Sequence, residues 1–303
     1  MRSLVSVVIP TYSRPTYLDR AISSVLKQTY SPIEIIVVDD NNPDTVERRE
    51  TEKTMEKYSG NLSIKYIQHE KNKNGSAARN TGLRIARGKY ITFLDDDDEI
   101  EPSKLERQID ELETLGDEWG ACYTAYKTLR PNEVVEHSFE NRSGECYVYA
   151  LMKTMFLGSG SNLLVRKCIA DQIGGYDESF KRSQDLEFLV RVTEQTKIAF
   201  VNEELLIIHW EDGRKKTYKE VAGYCDYYRK VFQDRINNLP EIDRERVITV
   251  ITLDQCKIAL VYKEYKEIIR LLRDNQIKGK YVVKYIRYLL DRVITHKSYG
   301  FYI

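Results

Sequence analysis

Residues 90–98 read YITFLDDDD, an apolar run that stops at four consecutive aspartates. Its β-branched and aromatic residues predict a buried strand that ends before Asp95. Four carboxylates at one strand end repel one another unless a cation lies among them. Mg²⁺ and Mn²⁺ prefer oxygen ligands and keep positions open for substrate phosphates. A solvated acidic turn is the alternative, and the run alone does not decide between the two.

Three other apolar runs precede this one, and helical patterns separate them. The four predicted strands cover residues 4–9, 33–38, 63–67 and 90–94. Apolar strands that alternate with helices predict an α/β fold, in which helices flank a mostly parallel, Rossmann-like sheet. We also expect Ser13 to cap the first helix, and Ser103 to form a capping box with Glu106.

Polar segments follow three of these strands, at residues 11–14, 39–40 and 95–98. In open α/β sheets, ligands bind at the carboxyl ends of the strands. A carboxylate at the second end can accept hydrogen bonds from a base or ribose, and Tyr12 can line the base pocket. The acidic run can hold a metal and hence phosphates, so the sequence predicts a nucleoside-diphosphate site. For Asp39 and Asp40, a simple Asx-type turn is the alternative.

Composition limits the class of protein. The 303 residues suit one large domain, or one domain with an extension. Lys and Arg number 47, as do Asp and Glu, so no overall field favours nucleic acid as a partner. Five scattered cysteines without a C-x-x-C pair predict reduced thiols in a cytoplasmic protein. No run of about 18 apolar residues occurs, so we expect any membrane association to be peripheral.

Six segments of the chain, in their order and spacing, resemble the motifs of family 2 glycosyltransferases, which have the nucleotide-sugar-binding GT-A fold. The segments are residues 8–14, 36–40, 78–82, 88–98, 173–178 and 184–188. The resemblance covers roughly residues 4–212 and leaves the last ninety outside.

The resemblance implies a donor site at the strand ends. Thr11, Tyr12 and Asp40 would hold the nucleobase, typically uracil, with Asp39 beside them. Arg79 would approach the nucleotide. The full set implied to bind the donor is Pro10, Thr11, Tyr12, Arg14, Asp39, Asp40, Arg79, Asp95 and Asp96.

The resemblance also implies Mn²⁺ or Mg²⁺ at a D-x-D motif, residues 95–97. Asp97 would be the direct ligand, while Asp95 and Asp96 would contact ribose and metal-bound water. Asp95 is also counted among the metal ligands. His209, after a predicted strand, matches a late position that can join the metal or the diphosphate. A purely structural histidine is the alternative.

Asp185 resembles the family's catalytic base, and the loop 158–162 would shape the acceptor pocket. The family usually has Glu before the base, whereas this chain has Gln184. A neutral neighbour removes a charge that would raise the pKa of Asp185. The departure indicates a different acceptor contact or impaired chemistry. Ser13 stands where the family usually has Asn, and its side chain can still cap.

The predicted function is metal-dependent, inverting sugar transfer in bacterial cell-surface polysaccharide synthesis. The donor would be a UDP-sugar and the acceptor a glycan or lipid-linked glycan. A non-catalytic nucleotide-sugar or glycan-binding module on the same fold is the alternative, supported by Gln184. A nucleotidyltransferase would normally carry a Gly-rich, basic phosphate loop after the first strand, and residues 10–14 are not one.

We divide the chain into a GT-A domain, residues 1–214, and a helical region, residues 215–303. The domain would comprise a nucleotide-sugar-binding half, 1–115, and an acceptor-binding half, 116–214. Near the C-terminus, helical spacing places several apolar residues on one face. They are Val282, Val283, Ile286, Leu289, Leu290 and Val293.

Basic and aromatic residues accompany that face between residues 278 and 303. The basic residues are Lys278, Lys280, Lys284, Arg287, Arg292 and Lys297, against the single acidic residue Asp291; the aromatic ones are Tyr281, Tyr285, Tyr288, Tyr299, Phe301 and Tyr302. Such a helix can lie on an anionic leaflet, here the inner face of the cell membrane. Packing on its own catalytic domain or on a twin subunit is the alternative.

Overall fold

The structure, a computed structural model, describes residues 2–130, 135–210, 216–295, 301 and 303. Four parallel strands form the N-terminal half of a sheet, in the order β3–β2–β1–β4. They are β1 (Val5–Thr11), β2 (Ile33–Asp39), β3 (Ile64–Gln68) and β4 (Tyr90–Phe93), with helices α1 (Pro15–Leu26), α2 (Val46–Glu56) and α3 (Gly75–Ile85) between them. The side chains of β1, β2 and β4 are almost all buried, because helices cover their apolar runs.

The second half of the sheet is mixed and continues in the order β4–β8–β6–β9–β5, with β7 paired to β6. Its strands are β5 (Glu99–Ile100), β6 (Trp119–Leu129), β7 (Val135–His137), β8 (Leu164–Arg166) and β9 (Lys197–His209). The helices along this stretch are α4 (Lys104–Thr114), α5 (Tyr147–Leu151), α6 (Lys167–Gln172) and α7 (Gln184–Gln195). The predicted α/β sheet flanked by helices is confirmed, and parallel pairing holds throughout its N-terminal half.

Strand register brings the polar strand ends to one edge. Thr11 is paired with Asp39, and Asp39 with Gln68. The backbone N–H of Leu94 donates to the carbonyl of Val8 at 2.9 Å, which extends the pairing of β4 with β1. The acidic run therefore emerges beside the end of β1.

Two predicted helix caps are wrong. Arg14 is the N-cap residue of α1, while Ser13 has a left-handed φ of 61° and donates its N–H to Asn41 Oδ1 at 2.8 Å. Ser103 does precede α4, but its side chain makes no cap bond. Glu106 accepts a hydrogen bond from the Thr29 hydroxyl at 2.7 Å instead. At Ser103 a contact distant in sequence replaces the local one, whereas at Ser13 the left-handed backbone moves the N-cap position to the next residue.

The chain forms two compact units. One comprises Met1–Cys146 and Leu157–Glu211, and contains the sheet; the other comprises Tyr147–Phe156 and Asp212–Ile303. The second unit is helical, with α5, α8 (Tyr218–Asn237), α9 (Glu241–Val261), α10 (Tyr265–Asp274) and α11 (Gly279–Thr295). The division at residue 214, proposed from sequence, stays a prediction. Every helix in the described ranges is too short or too polar to cross a membrane.

The residues of the predicted apolar face of α11 do not all have the same degree of burial. Val283, Ile286 and Leu290 are exposed, whereas Val282 and Leu289 are half-buried. The predictions that concern the side chain of Val293, and those for Lys297, Tyr299 and Tyr302, fall outside the described residues.

Candidate functional site

A cleft of about 660 Å³ opens at the carboxyl edge of the parallel strands. Its lining consists of Pro10, Thr11, Tyr12, Ser13, Arg14, Asp40, Gly75, Ala78, Arg79, Asp95, Asp96 and Asp97. Nine of these were predicted from sequence as site residues. Clefts of this size commonly hold small molecules or cofactors. Asp39, Asp185 and His209, which were also predicted, lie outside this lining.

The end of β1 is tied to the acidic run. The Thr11 hydroxyl donates to Asp96 Oδ2 at 2.7 Å, and the N–H of Tyr12 approaches the same oxygen at 3.4 Å. Burial raises the pKa of Asp96 to about 6, although the hydrogen bond from Thr11 opposes this. The ring of Tyr12 is half-exposed, at 51%. Asp96 thus fixes the chain at the end of β1, where the Tyr12 ring is exposed at the cleft.

Two arginines neutralise the flanking carboxylates. Arg14 pairs with Asp97, and Arg79 pairs with Asp95. Arg20 adds a hydrogen bond to the main-chain carbonyl of Asp97 at 2.6 Å. These contacts offset the repulsion between adjacent carboxylates. From the sequence alone, we expected a metal cation to have this role.

The predicted ligand set of Asp95, Asp97 and His209 is not assembled. Within the described ranges, no group of three or more His, Cys, Asp or Glu side chains could hold a metal ion. His209 Nε2 lies 3.3 Å from Glu99 Oε2. Burial, together with the positive charge of nearby Arg20, lowers the pKa of His209. His209 therefore has Glu99 and the charge of Arg20 in its surroundings, and not the carboxylates of Asp95 and Asp97.

Asp95 and Asp97 still provide the donor atoms that a hard cation needs, because both are carboxylates that line the cleft. Their partners, Arg79 and Arg14, can bind phosphate as well as carboxylate. The donor type therefore fits Mg²⁺ or Mn²⁺, and Asp95 and Asp97 are the residues that would hold it.

Asp40 organises the segment that leads into α3. Its Oδ1 lies 2.7 Å from Nδ1 of His69 and accepts the N–H of Lys73 at 2.8 Å. Its Oδ2 accepts the Asn72 side-chain amide and the N–H of Asn74, both at 2.9 Å. These four contacts occupy both lone pairs of each oxygen. In this arrangement the side chain shapes the cleft wall, and nucleobase contact by Asp40 stays a prediction.

Asp39 is fully buried behind that wall. It accepts the Tyr66 hydroxyl at 2.6 Å and the N–H of Asn41 at 2.9 Å, and it pairs with Arg48 at 3.1 Å. Burial raises the pKa of Asp39 in spite of these contacts. Asp39 thus anchors the loop after β2, as the turn alternative expects.

Arg79 connects the acidic run to the predicted catalytic helix. Its Nη1 donates to Gln184 Oε1 at 3.1 Å, and its Nη2 pairs with Asp95. Its guanidinium lies 5.3 Å from the centre of the Tyr176 ring. Because Gln184 is neutral, Asp95 is the carboxylate that balances Arg79 in these contacts.

Asp185 is in the first turn of α7. Burial is the main cause that raises the pKa of Asp185, and the negative charge of Asp95 adds to it. A Cβ built on Gly160 would lie 3.5 Å from the Cβ of Asp185, so the loop 158–162 passes directly beside it. A carboxylate with a raised pKa can accept a proton from a bound hydroxyl.

Sequence reasoning missed a buried network beneath the acidic run. Asp98 accepts the hydroxyls of Ser159 and Ser161, each at 2.6 Å. The Ser161 hydroxyl also accepts the N–H of Asp95 at 2.9 Å. This network joins the acidic run to the loop that passes Asp185. The four-aspartate run contained a signal, because side chains along an extended segment alternate in direction, and Asp96 and Asp98 are the two that are buried.

Lys104 is fully buried in the same region. Its ammonium donates to Gln108 Oε1 at 2.9 Å and to the carbonyl of Asn162 at 3.2 Å. Burial lowers the pKa of Lys104 to about 7. The sequence signal was its helical spacing, because Lys104 and Gln108 share the face of α4 that carries Leu105 and Ile109.

Comparison with known proteins gives a family match. The model of the family described as Glycosyl transferase family 2 matches residues 6–174. An uncharacterized glycosyltransferase of Rickettsia conorii is 31% identical over 227 residues, which are 71% of this chain and 35% of that protein. This chain therefore spans about a third of that relative's length.

Two relatives from Escherichia coli have more specific descriptions. The putative colanic acid biosynthesis glycosyl transferase WcaA is 28% identical over 251 residues, 75% of this chain and 81% of that protein. The UDP-Glc:α-D-GlcNAc-diphosphoundecaprenol β-1,3-glucosyltransferase WfgD is 36% identical over 132 residues, 44% of this chain and 49% of that protein.

A solved structure shares the fold. The crystal structure of S. aureus TarS in complex with UDP-GlcNAc superposes with a TM-score of 0.67 at 19% identity, and the match covers 89% of this chain and 80% of that one.

Proposed function

The chain belongs to glycosyltransferase family 2, and we propose that it transfers a sugar from a UDP-sugar to a glycan or lipid-linked glycan acceptor. The observation that carries this proposal is the single cleft in which the end of β1, Arg79 and residues 95–97 meet. These groups offer an aromatic ring for a base, guanidinium groups for phosphates and carboxylates for a cation.

The UDP part of the donor is supported by two relatives. WfgD is described as using UDP-Glc, and TarS was crystallised with UDP-GlcNAc. In this chain the exposed Tyr12 ring is free to stack on a base, while Asp40 fixes the wall behind it. We propose that Arg14 and Arg79 leave Asp97 and Asp95 to bind the diphosphate when the donor enters.

Asp95 and Asp97 would hold Mn²⁺ or Mg²⁺ in that state. The cation supplies Lewis-acid stabilisation of the charge that develops on the departing diphosphate. Arg14 and Arg79 add charge-assisted hydrogen bonds to the same oxygens. The chain's own arginines would therefore add stabilising positive charge at the leaving group.

Asp185 would serve as the base in a single inverting displacement. The acceptor oxygen forms a bond to C1 of the sugar while the bond from C1 to the phosphate oxygen breaks. The electron pair of that bond leaves with UDP, and the hydroxyl proton moves to Asp185. Because burial raises the pKa of Asp185, the carboxylate holds this proton better than an exposed aspartate would.

The acceptor side of the proposal comes from WfgD and WcaA. Their descriptions name an undecaprenol-linked acceptor and colanic acid biosynthesis, respectively. We propose that this chain takes a comparable lipid-linked or growing glycan in bacterial cell-surface polysaccharide synthesis, at the cytoplasmic face of the membrane.

An Asp185→Asn variant tests the proposed role of the base. We expect kcat to fall by about 10²–10⁴-fold, with UDP binding retained. Asp171→Asn, a change at an exposed helical position, is the matched control and should keep full activity. Undiminished transfer by the Asp185 variant would exclude Asp185 as the base.

A binding module without turnover is the second candidate, and Gln184 favours it. The family usually has an acidic residue before the base. In this chain that position is Gln184, whose neutral amide contacts Arg79. If the parent protein binds UDP-sugars and shows no transfer to any acceptor, while Gln184→Glu restores transfer, the module is the correct description.

A further inference from the structure

Helix α11 presents an apolar stripe to solvent. Val283, Ile286, Leu290 and Ile294 are 52%, 51%, 59% and 77% exposed, respectively. Their spacings of three and four residues place them along one side of the helix. Four large apolar side chains exposed in one row are unusual for a surface helix, whose apolar side normally faces the core.

Another side of α11 already makes the internal contacts. Tyr285 is buried, and its ring centre lies 4.7 Å from that of Phe301 and 5.8 Å from that of Tyr288. The buried Tyr285 therefore forms an aromatic cluster with Phe301 and Tyr288 on this side of the helix. The exposed stripe is additional apolar surface that this packing does not use.

Basic residues follow the stripe along the helix. Lys280 and Arg287 lie one turn before and one turn after Val283, and Lys284 lies between them. All three are exposed, and Asp291 is the acidic residue of this helix. An apolar row edged by cations is complementary to a surface with negative headgroups above hydrocarbon.

We propose that this face of α11 docks on an anionic lipid surface. Val283, Ile286, Leu290 and Ile294 would enter the boundary between headgroups and acyl chains, and Lys280, Lys284 and Arg287 would contact lipid phosphates. The inference goes beyond the proposed function, because it depends on no property of the cleft.

A second copy of this chain fits the face less well. Pairing two stripes would bring the cations of both helices together, and like charges at an interface are unfavourable.

Vesicle sedimentation of the full chain tests the proposal. We expect the parent to bind vesicles of phosphatidylglycerol and phosphatidylcholine, and to bind pure phosphatidylcholine weakly. Ile286→Ser with Leu290→Ser should lower the partition coefficient at least tenfold. Replacing Lys280, Lys284 and Arg287 by Gln should lower it by roughly fivefold for each cation removed. Binding should also weaken as salt rises.

Matched controls use exposed residues elsewhere. Leu62→Ser with Ile242→Ser removes two exposed apolar side chains, and Lys53, Lys219 and Lys230 replaced by Gln remove three exposed cations. Controls that lose binding as strongly as the α11 variants would overturn the proposal, as would a parent that ignores anionic vesicles. If the α11 variants instead turn a dimer into a monomer in sedimentation velocity, with vesicle binding unchanged, the partner is a second copy.

Transfer to a water-soluble acceptor separates this inference from the proposed function. We expect the Ile286→Ser, Leu290→Ser variant to transfer sugar to such an acceptor at the parent rate. A parent that binds vesicles but transfers nothing would leave the lipid inference standing and refute the proposed function.

Discussion

Gln184 is the residue that most distinguishes the proposed catalytic helix from the family pattern. It contacts Arg79, which Asp95 already balances, and it immediately precedes Asp185. Gln184→Glu would add a negative charge beside Asp185, so we expect the pKa of Asp185 to rise further. Because the base acts when deprotonated, the acid limb of the kcat profile should move up by roughly one pH unit.

The measurement is kcat between pH 5 and 9 for the parent and for Gln184→Glu. Gln172→Glu, an exposed position on α6, is the control that adds the same charge elsewhere. An acid limb that stays in place would show that residue 184 does not influence the titration of the base.

Lys104 links one buried residue to the pH dependence of stability. Burial lowers the pKa of Lys104 to about 7 in the folded protein, whereas an unfolded lysine titrates near 10.4. Between these values the unfolded state binds more protons, so stability rises with pH through this window. Below pH 7 the buried amine is protonated in the folded protein, so its full desolvation cost lowers the free energy of unfolding.

Lys104→Met removes that cost together with the titration. The measurement is the difference in Tm between the variant and the parent, by calorimetry at pH 6 and at pH 9.5. We expect this difference to be several degrees more positive at pH 6. Lys89→Met, at an exposed position, should show no such trend. A difference in Tm that is constant with pH would contradict the lowered pKa.

The proximity of most site residues could be predicted, but their partners could not. Thr11, Arg79 and Asp97 line one cleft because strand ends in a parallel sheet meet at one edge. His209 was placed with the metal ligands, yet it lies beside Glu99, on a strand that pairs with its own. That pairing joins residues about a hundred positions apart, and no local pattern encodes it.

At the scale of elements, the close approach of α3 to β1 explains a glycine in the segment 78–82. A Cβ on Gly82 would lie 2.3 Å from Val8 Cγ1, inside the contact distance of two carbon atoms. Gly82→Ala should therefore push α3 away from the strand that carries Thr11. We expect a loss of about 1–3 kcal/mol in the free energy of unfolding, measured by urea denaturation.

Gly223→Ala is the matched control for that change. Its Cβ would meet no heavy atom within 4 Å, and the residue lies inside α8. Alanine there should be neutral or stabilise by about 0.5–1 kcal/mol. Equal stability for Gly82→Ala and the parent would mean that α3 and β1 have room to separate.

Element boundaries were predictable where apolar periodicity sets them, and less so where caps do. The runs at residues 33–38 and 90–94 gave β2 and β4 almost as they occur. The capping box at Ser103 failed because Thr29, from another part of the chain, donates to the Glu106 carboxylate that the box would use. The cap at Ser13 failed because that residue has a left-handed φ and the N-cap position falls to Arg14.

At the scale of the whole molecule, the α/β class followed from the first hundred residues, whereas the second half of the sheet did not. β6 and β9 are parallel neighbours separated by some seventy residues of chain. The segment Tyr147–Phe156 belongs to the helical unit, where the Leu151 carbonyl accepts the Tyr228 hydroxyl at 3.0 Å. A five-residue helix offers too short a pattern to indicate such a distant partner.

Ligand binding at the cleft should stabilise the unit that contains the sheet, because a ligand that binds only the folded state raises Tm by mass action. We expect UDP with Mn²⁺ to raise Tm by several degrees, and by more than the sum of the shifts from each alone. The reason is that Asp95 and Asp97 would offer only part of a coordination sphere, and the diphosphate would supply more of it. Asp97→Asn should abolish this synergy in thermal-shift measurements, while Asp117→Asn, an exposed change, should preserve it. Synergy that survives in Asp97→Asn would place the cation elsewhere. A parent whose Tm ignores UDP and Mn²⁺ together would refute the proposed donor site, because this cleft is where the carboxylates, the arginines and the exposed aromatic ring meet.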